Sequence, residues 1–189
     1  MTAAGNRQAA GKRLKPLNDW GLNERRPWPG LNKVKTLDKR LVIKPELCSG
    51  CGICELVCAL VKTGQWCPAL SRIRVLNVGQ PGLYLPVACV HCKEPPCATA
   101  CLMNVIKKEP ATGLTVRHEA SCIGCRACEI SCPFDAGVFD YLRGVVVNCD
   151  LCGGDPPCVR YCPEGALEFS SEAEAAAVRR DETAWKRVI

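Results

Sequence analysis

Residues 122–133 read CIGCRACEISCP, which places cysteines at Cys122, Cys125, Cys128 and Cys132 and sets Pro133 directly after the last. The same C-x2-C-x2-C-x3-C spacing occurs upstream at Cys48, Cys51, Cys54 and Cys58. Two more runs keep both end gaps and stretch the middle one. Cys89, Cys92, Cys97 and Cys101 are spaced x2, x4 and x3, and Cys149, Cys152, Cys158 and Cys162 are spaced x2, x5 and x3 before Pro163. Sixteen of the 17 cysteines in this 189-residue chain therefore fall into four runs.

Such a run supplies three thiolates to one [4Fe–4S] cube and a fourth to a different cube. Four runs are enough for four [4Fe–4S] clusters, with all sixteen run cysteines as the candidate ligands. Cysteines three residues apart can wrap three corners of one cube, with the intervening N–H groups aimed at its sulfides. The last cysteine lies a helical turn further on and faces a neighbouring cube. Gly50, Gly52, Gly124, Gly153 and Gly154 let the backbone approach a bulky core. Pro133 and Pro163 turn the chain away after the last cysteine. The first two runs carry Ala59 and Leu102 there instead, which predicts a different local turn and no lost ligand.

Rival uses of cysteine fit less well. Disulfides need an oxidising compartment, and Met1 to Pro16 is polar and basic with no apolar core of a secretory signal. Arg25-Arg26 is followed by Pro27-Trp28-Pro29, not by an apolar stretch. A zinc-binding nucleic-acid module would separate its cysteine pairs by about a dozen residues and would not add a third and fourth cysteine to each run. Cytoplasmic localisation is expected. No stretch approaches the roughly 18 apolar residues of a membrane span.

Charge is unevenly spread. The formal net charge is +6, yet residues 1–40 hold ten Lys/Arg against three Asp/Glu, and the remainder holds fifteen against sixteen. Four oxidised cubes with their thiolates would bring that remainder to about −9. Nucleic-acid binding would need a basic surface on the folded part, so no nucleic-acid partner is expected. Only ten residues are aromatic, so the clusters themselves would fill much of the interior.

The pattern divides the chain into a basic extended arm (1–40), a cluster-bearing domain (41–170) and a C-terminal helix (171–189). Trp20 and Trp28, beside Pro27, Pro29 and Leu31, suit an arm that docks on a partner subunit or another copy. Leu41-Val42-Ile43 reads as a strand, Cys54 to Leu60 as a helical turn, and Arg72 to Val78 as a half-buried strand. Leu83 to Val87 is a second strand after a turn at Gln80-Pro81-Gly82. Leu114-Thr115-Val116 and Val145-Val146-Val147 precede the third and fourth runs, and Ala166 to Phe169 follows the last. An extended piece before and a helical turn after each run predict an α+β fold, a two-cluster ferredoxin unit duplicated with one copy nested in the other. Ser171 and Glu174 form a capping-box signature ahead of an Ala-rich helix to Val188, with Trp185 as an anchor.

The fragments CVHCKEPPC, CIGCRACEISCPF and CDLCGGDPPCVRYCPEGAL resemble the four-cluster ferredoxin-like electron-transfer subunits of bacterial molybdenum and tungsten oxidoreductases, hydrogenases and carbon monoxide dehydrogenase systems. The resemblance covers about residues 40–170. It implies ligands that cross between runs, first with fourth and second with third. Cys48, Cys51 and Cys54 would share a cube with Cys162, and Cys149, Cys152 and Cys158 one with Cys58. Likewise Cys89, Cys92 and Cys97 would join Cys132, and Cys122, Cys125 and Cys128 would join Cys101. It further implies an electron relay with no substrate site of its own. Its partners would be a Mo/W-pterin catalytic subunit and a second redox partner, a flavin subunit or further copies of the chain. In size and in its four full motifs the chain looks similar to the small iron–sulfur subunit of a bacterial tungsten aldehyde oxidoreductase. A hydrogenase or carbon monoxide dehydrogenase complex is the alternative setting.

Beside the ligands, Arg126 and Lys93 are the expected cations that would raise a cube's potential by stabilising its reduced form. His91, inside a ligand loop, is expected to hydrogen-bond and not to bind iron, because its cube already has four cysteines. His118 is expected to take no part. Cys67, outside every run, reads as a structural thiol.

Overall fold

The computed structural model describes residues 39–79, 82–171 and 173–174. The expected basic arm, the centre of the turn at Gln80-Pro81 and the body of the C-terminal helix lie outside the described residues. Secondary structure is mixed and short. Four antiparallel pairs alternate with the cysteine runs: β2 (Ile73–Asn77) with β3 (Tyr84–Ala88), β4 (Ile106–Lys108) with β5 (Thr115–Arg117), and β6 (Val138–Asp140) with β7 (Val145–Val147). The fourth pair joins the two ends of the domain, β1 (Lys39–Ile43) against β8 (Leu167–Ser171), in a register that sets Leu41 opposite Phe169.

This topology positions the runs. The β1–β8 pair draws the first and last runs together, while the β4–β5 hairpin lies between the second and third and folds them side by side. A 3-10 turn precedes both the first run, at Pro45–Leu47, and the third, at Glu119–Ser121. The amides of Cys48 and Cys122 close those turns onto Pro45 O (3.0 Å) and Glu119 O (3.1 Å).

Each run contains the start of a helix, so the helical turn begins within the run and not after it. α1 (Ile53–Thr63), α2 (Pro96–Thr99), α3 (Ala127–Ile130) and α4 (Pro157–Arg160) each carry the third cysteine of their run. The stretched middle gaps of the second and fourth runs hold Pro95-Pro96 and Pro156-Pro157, and the second proline opens the helix, where a missing N–H costs nothing. Proline after the last cysteine does not by itself set helix length: α3 and α4, followed by Pro133 and Pro163, are single turns, and so is α2, which Leu102 follows. Ala59, fully buried, lets α1 continue to Thr63, where Gly64 caps it by donating to Leu60 O at 2.8 Å.

The apolar core is thin and is made partly of cysteine. Cys54, Ile73, Ala88, Cys158 and Leu167 form one buried cluster, with Cys58, Cys149 and Cys162 packed against it. Ile106, Cys128 and Val146 form a second, with Cys97 and Cys101 against it. Polar ties join the pieces: Glu55 on α1 accepts from the Val75 amide (2.9 Å), and Arg74 on β2 pairs with Asp135 (3.0 Å). Ser171 and Glu174 make the reciprocal bonds of a capping box, at 2.7 and 3.2 Å.

Candidate metal centres

Four cavities of about 320 to 400 Å³ open among the runs, and each is lined by four cysteines. Cys48, Cys51 and Cys54 share theirs with Cys162. Cys149, Cys152 and Cys158 share theirs with Cys58. Cys89, Cys92 and Cys97 meet Cys132, and Cys122, Cys125 and Cys128 meet Cys101. Each cavity thus takes three cysteines from one run and the last from another. Cys67 is not among the residues lining these cavities; it stands half-buried ahead of a 3-10 turn at Pro68–Leu70.

The backbone explains how three cysteines of one loop face one cavity. The residue just before the second cysteine is left-handed in every run: Gly50 (φ 74°), His91 (53°), Gly124 (69°) and Leu151 (54°). A left-handed residue in such a loop turns successive N–H groups to one side, forming an anion-binding concavity, and in the fourth run Cys152 and Gly153 are left-handed as well. At Gly124 no side chain fits, since a Cβ would collide with the carbonyl oxygen of Gly144. Several amides already donate to cysteine sulfur: Arg72 N to Cys58 (3.3 Å), Ala136 N to Cys132 (3.4 Å) and Leu151 N to Cys149 (3.4 Å).

The donor set fits an iron–sulfur cube. Four soft thiolates line each cavity, and amides aim at sulfur. Among the described residues, no three or more His, Cys, Asp or Glu side chains converge on a point as a single ion would require. Burial pushes the Cys54 and Cys158 thiols up to about 12 and Cys152 up to about 11, so iron binding at these positions must displace a proton.

The cations around the cavities differ from the sequence expectation. Arg126 lines a cavity, but its guanidinium is paired with Glu129 (2.7 and 3.2 Å) and lies over the Phe139 ring at 5.1 Å. Lys93 is exposed. Arg117, on β5, reaches a run cysteine, its Nη1 donating to Cys128 Sγ at 3.0 Å and its Nε to Asn148 Oδ1 at 2.7 Å, and Lys62 hydrogen-bonds the Cys152 side chain. At the cavity of Cys149, Cys152 and Cys158, Lys62 and Arg72 both pair with Asp150, at 2.7 and 3.0 Å. The cavity of Cys48 has Glu164 as its charged lining residue.

His91 takes the hydrogen-bonding role. Its Nδ1 accepts from the Thr115 amide at 3.0 Å, while Lys108 Nζ donates to the carbonyls of His91 (2.5 Å) and Cys92 (2.7 Å) and fixes the loop. Burial, then Arg40 and Lys108, lower the imidazole to about 4 and keep it neutral. His118 is exposed, just past β5, with Nδ1 3.2 Å from Ser121 Oγ.

A small mixed helix-and-strand fold with cysteine-lined cavities of this kind defines a ferredoxin-like [4Fe–4S] protein. Residues 81–172 match the model of the 4Fe-4S dicluster domain. The polyferredoxin-like subunit of aliphatic sulfonate oxidoreductase from Pyrococcus furiosus is 43% identical over 124 residues, which are 66% of this chain and 71% of that protein. The B subunit of anaerobic dimethyl sulfoxide reductase from Haemophilus influenzae is 33% identical over 146 residues, 66% of this chain and 70% of that one. Subunit beta of the NADH-dependent phenylglyoxylate dehydrogenase of Aromatoleum evansii is 33% identical over 137 residues, 70% of this chain and 30% of that protein. This polypeptide belongs to the family of iron–sulfur electron-transfer subunits of oxidoreductases, as an electron carrier and not a catalytic subunit. No helix of the described residues is long and apolar enough to cross a membrane.

Proposed function

We propose that this chain holds four [4Fe–4S] clusters, one per cavity, and relays electrons between a molybdenum- or tungsten-pterin catalytic subunit and a second redox partner. The observation that carries this reading is the set of four cavities, each bringing together three cysteines of one run and the last cysteine of another. The ligand sets are those four groups of cysteines. When bound, each cube supplies one-electron chemistry. The protein supplies the rest: thiolates at the corners, amides toward sulfur, and apolar walls that limit water.

Adjacency along the chain supports a linear order of the four sites. Cys54 and Cys58 sit on α1, about 6 Å apart along the axis, and face different cavities. Asn148 lines the cavity of Cys89 while Cys149 lines the next. Cys128 and Cys132 connect the last two in the same way. The repeated succession of strand, 3-10 turn and run before Cys48 and before Cys122 supports a duplicated, nested two-cluster unit within residues 41–170. Sixteen reduced thiols suit a reducing, cytoplasmic compartment. The catalytic partner in this reading is a tungsten aldehyde oxidoreductase, with a flavin subunit or further copies of this chain accepting the electrons.

The test is anaerobic purification with iron and acid-labile sulfide assay, expecting about sixteen of each per chain. About eight of each in fully loaded protein would reduce the relay to two clusters and overturn the four-site reading. Affinity purification from the native cell, with metal analysis of what co-purifies, tests the partner. Recovery with a catalytic subunit that contains neither molybdenum nor tungsten would exclude the pterin assignment.

A further inference from the structure

Arg117 stands between two cavities. It lines the one formed by Cys101, Cys122, Cys125 and Cys128 and also the one formed by Cys89, Cys92, Cys97 and Cys132. Its guanidinium donates to Cys128 Sγ at 3.0 Å on one side. Its other edge is clamped by Asn148 Oδ1 at 2.7 Å, and Asn148 is itself anchored by donating to Thr115 O (3.1 Å) and Cys149 O (2.9 Å). Arg117 lines the second cavity together with Cys89 and Cys97, so its field reaches that cavity as well.

The other basic residues lining the four cavities are all paired with carboxylates: Arg126 with Glu129, Lys62 with Asp150, and Arg72 with Asp150 and Glu119. Among the described residues no carboxylate pairs with Arg117. An unneutralised guanidinium held against cysteine sulfur favours whichever redox state is more negative, and in a partly buried site that effect is weakly screened.

We propose that Arg117 is a shared tuning cation that raises the potentials of the last two clusters of the row together, making that end of the relay the electrons' resting place. This inference rests on the four-cluster reading above. The charge is fixed by Asn148 and Cys128 on either edge, so it serves both sites without moving toward one. The step itself is a one-electron reduction of a cluster by a neighbouring cluster, and Arg117 neither gains nor loses a proton in it.

The experiment is an EPR-monitored redox titration of the full chain, wild type against Arg117→Gln and Arg117→Lys, with iron and sulfide assayed in every sample. Arg117→Gln keeps donor capacity without charge. It should leave iron content unchanged and lower two of the centres by roughly tenfold in their reduction equilibria, about 59 mV for one electron. Arg117→Lys keeps the charge and should hold both centres within about threefold of wild type. A fully loaded Arg117→Gln protein with no centre shifted, or with all four shifted alike, overturns the proposal. Should the glutamine variant load too little iron to titrate, Arg117→Lys decides: loaded, with wild-type potentials, it supports the charge; loaded, with both centres lowered tenfold, it refutes it. Low iron in the wild-type protein would count against the four-cluster reading instead, so the two failures are distinguishable.

Discussion

His91 Nδ1 accepts a hydrogen bond from the backbone amide of Thr115, 3.0 Å away, and so ties the second cysteine run to the strand that leads into the third. That bond occupies the nitrogen lone pair nearest Cys89, whose sulfur lies 3.8 Å from it, and assigns the ring a structural task. His91 also holds a left-handed backbone conformation (φ 53°), which asparagine tolerates and a β-branched residue does not. His91→Val should therefore combine backbone strain of about 1–3 kcal/mol with an unsatisfied buried amide of about 1–3 kcal/mol. The expected result is loss of one cluster, about four iron atoms per chain, on chelator challenge. His91→Asn should retain it. Equal iron retention by both variants would remove the structural role.

Gly124 faces the carbonyl of Gly144 so closely that no Cβ fits between them. The residue is also left-handed (φ 69°), as is Gly165 (φ 63°), beside which the space is open. The pair separates two effects. Gly165→Ala carries only the left-handed penalty, about 1–2 kcal/mol, whereas Gly124→Ala must also push apart a ligand loop and a hairpin turn. Anaerobic denaturation should show Gly124→Ala losing at least twice as much stability. A smaller loss than for Gly165→Ala would mean that the contact relaxes freely.

If cubes bridge the runs, single ligand replacements should group by cavity and not by run. Cys162→Ser should alter the same EPR centre as Cys48→Ser, and Cys132→Ser the same centre as Cys89→Ser. Replacement of Cys158 should alter a different centre from replacement of Cys162, although the two lie on one run. Matching spectra for the Cys158 and Cys162 variants would refute the crossed assignment.

Asp150 is half-buried, and the partial desolvation raises its carboxyl, yet Lys62 and Arg72 outweigh that and hold it below the ordinary carboxylate value. A depressed carboxylate stabilises the fold above its unfolded pKa, near 4, and that contribution disappears as pH falls through the folded value. Asp150→Asn removes the carboxylate and leaves Lys62, with only 8% of its side chain exposed, uncompensated beside Cys152. The variant should be less stable at neutral pH and should approach the wild type in acid. It should also raise the potential of one centre, the one at Cys58, Cys149, Cys152 and Cys158. A pH-independent stability difference would show that the pair is not its source.

The ligand runs were legible because cubane spacing is local: three cysteines within seven residues at Cys48 or Cys122 announce themselves without a fold. The strands at Ile73–Asn77 and Tyr84–Ala88 were legible for the same reason, since the polar/apolar alternation of the first and the turn residues Gln80-Pro81-Gly82 ahead of the apolar second leave a local pattern. β4 and β6 were not. Three residues each carry no periodicity, and Ile106–Lys108 exists because it pairs with β5. Sequence adjacency singled out Arg126, which does line a cavity, but it left Arg117 unseen. Arg117 meets Cys128 across eleven positions and Asn148 across thirty-one, a juxtaposition that only the β4–β5 and β6–β7 hairpins create. Conversely, the partner that neutralises Arg126 was in plain view three residues on, at Glu129.

Glu164 gives the site at the other end of the row the opposite electrostatics to the pair beside Arg117. It lines the cavity of Cys48, Cys51, Cys54 and Cys162, where no basic side chain lines the wall among the described residues. Glu55, on α1 beside the same cavity, adds a second carboxylate that raises the Cys54 thiol after burial has done so. Negative charge beside a cluster disfavours its reduced form, so this centre should be the lowest in potential of the four. Glu164→Gln should raise that centre alone, by less than Arg117→Gln lowers its two, because Glu164 is exposed and water screens it. The shift should shrink further at high salt, whereas the effect of Arg117, which is half-buried, should persist. An EPR titration at low and high ionic strength reads both. A Glu164→Gln shift that does not respond to salt would mean that the variant has changed the ligand loop and not the field across it.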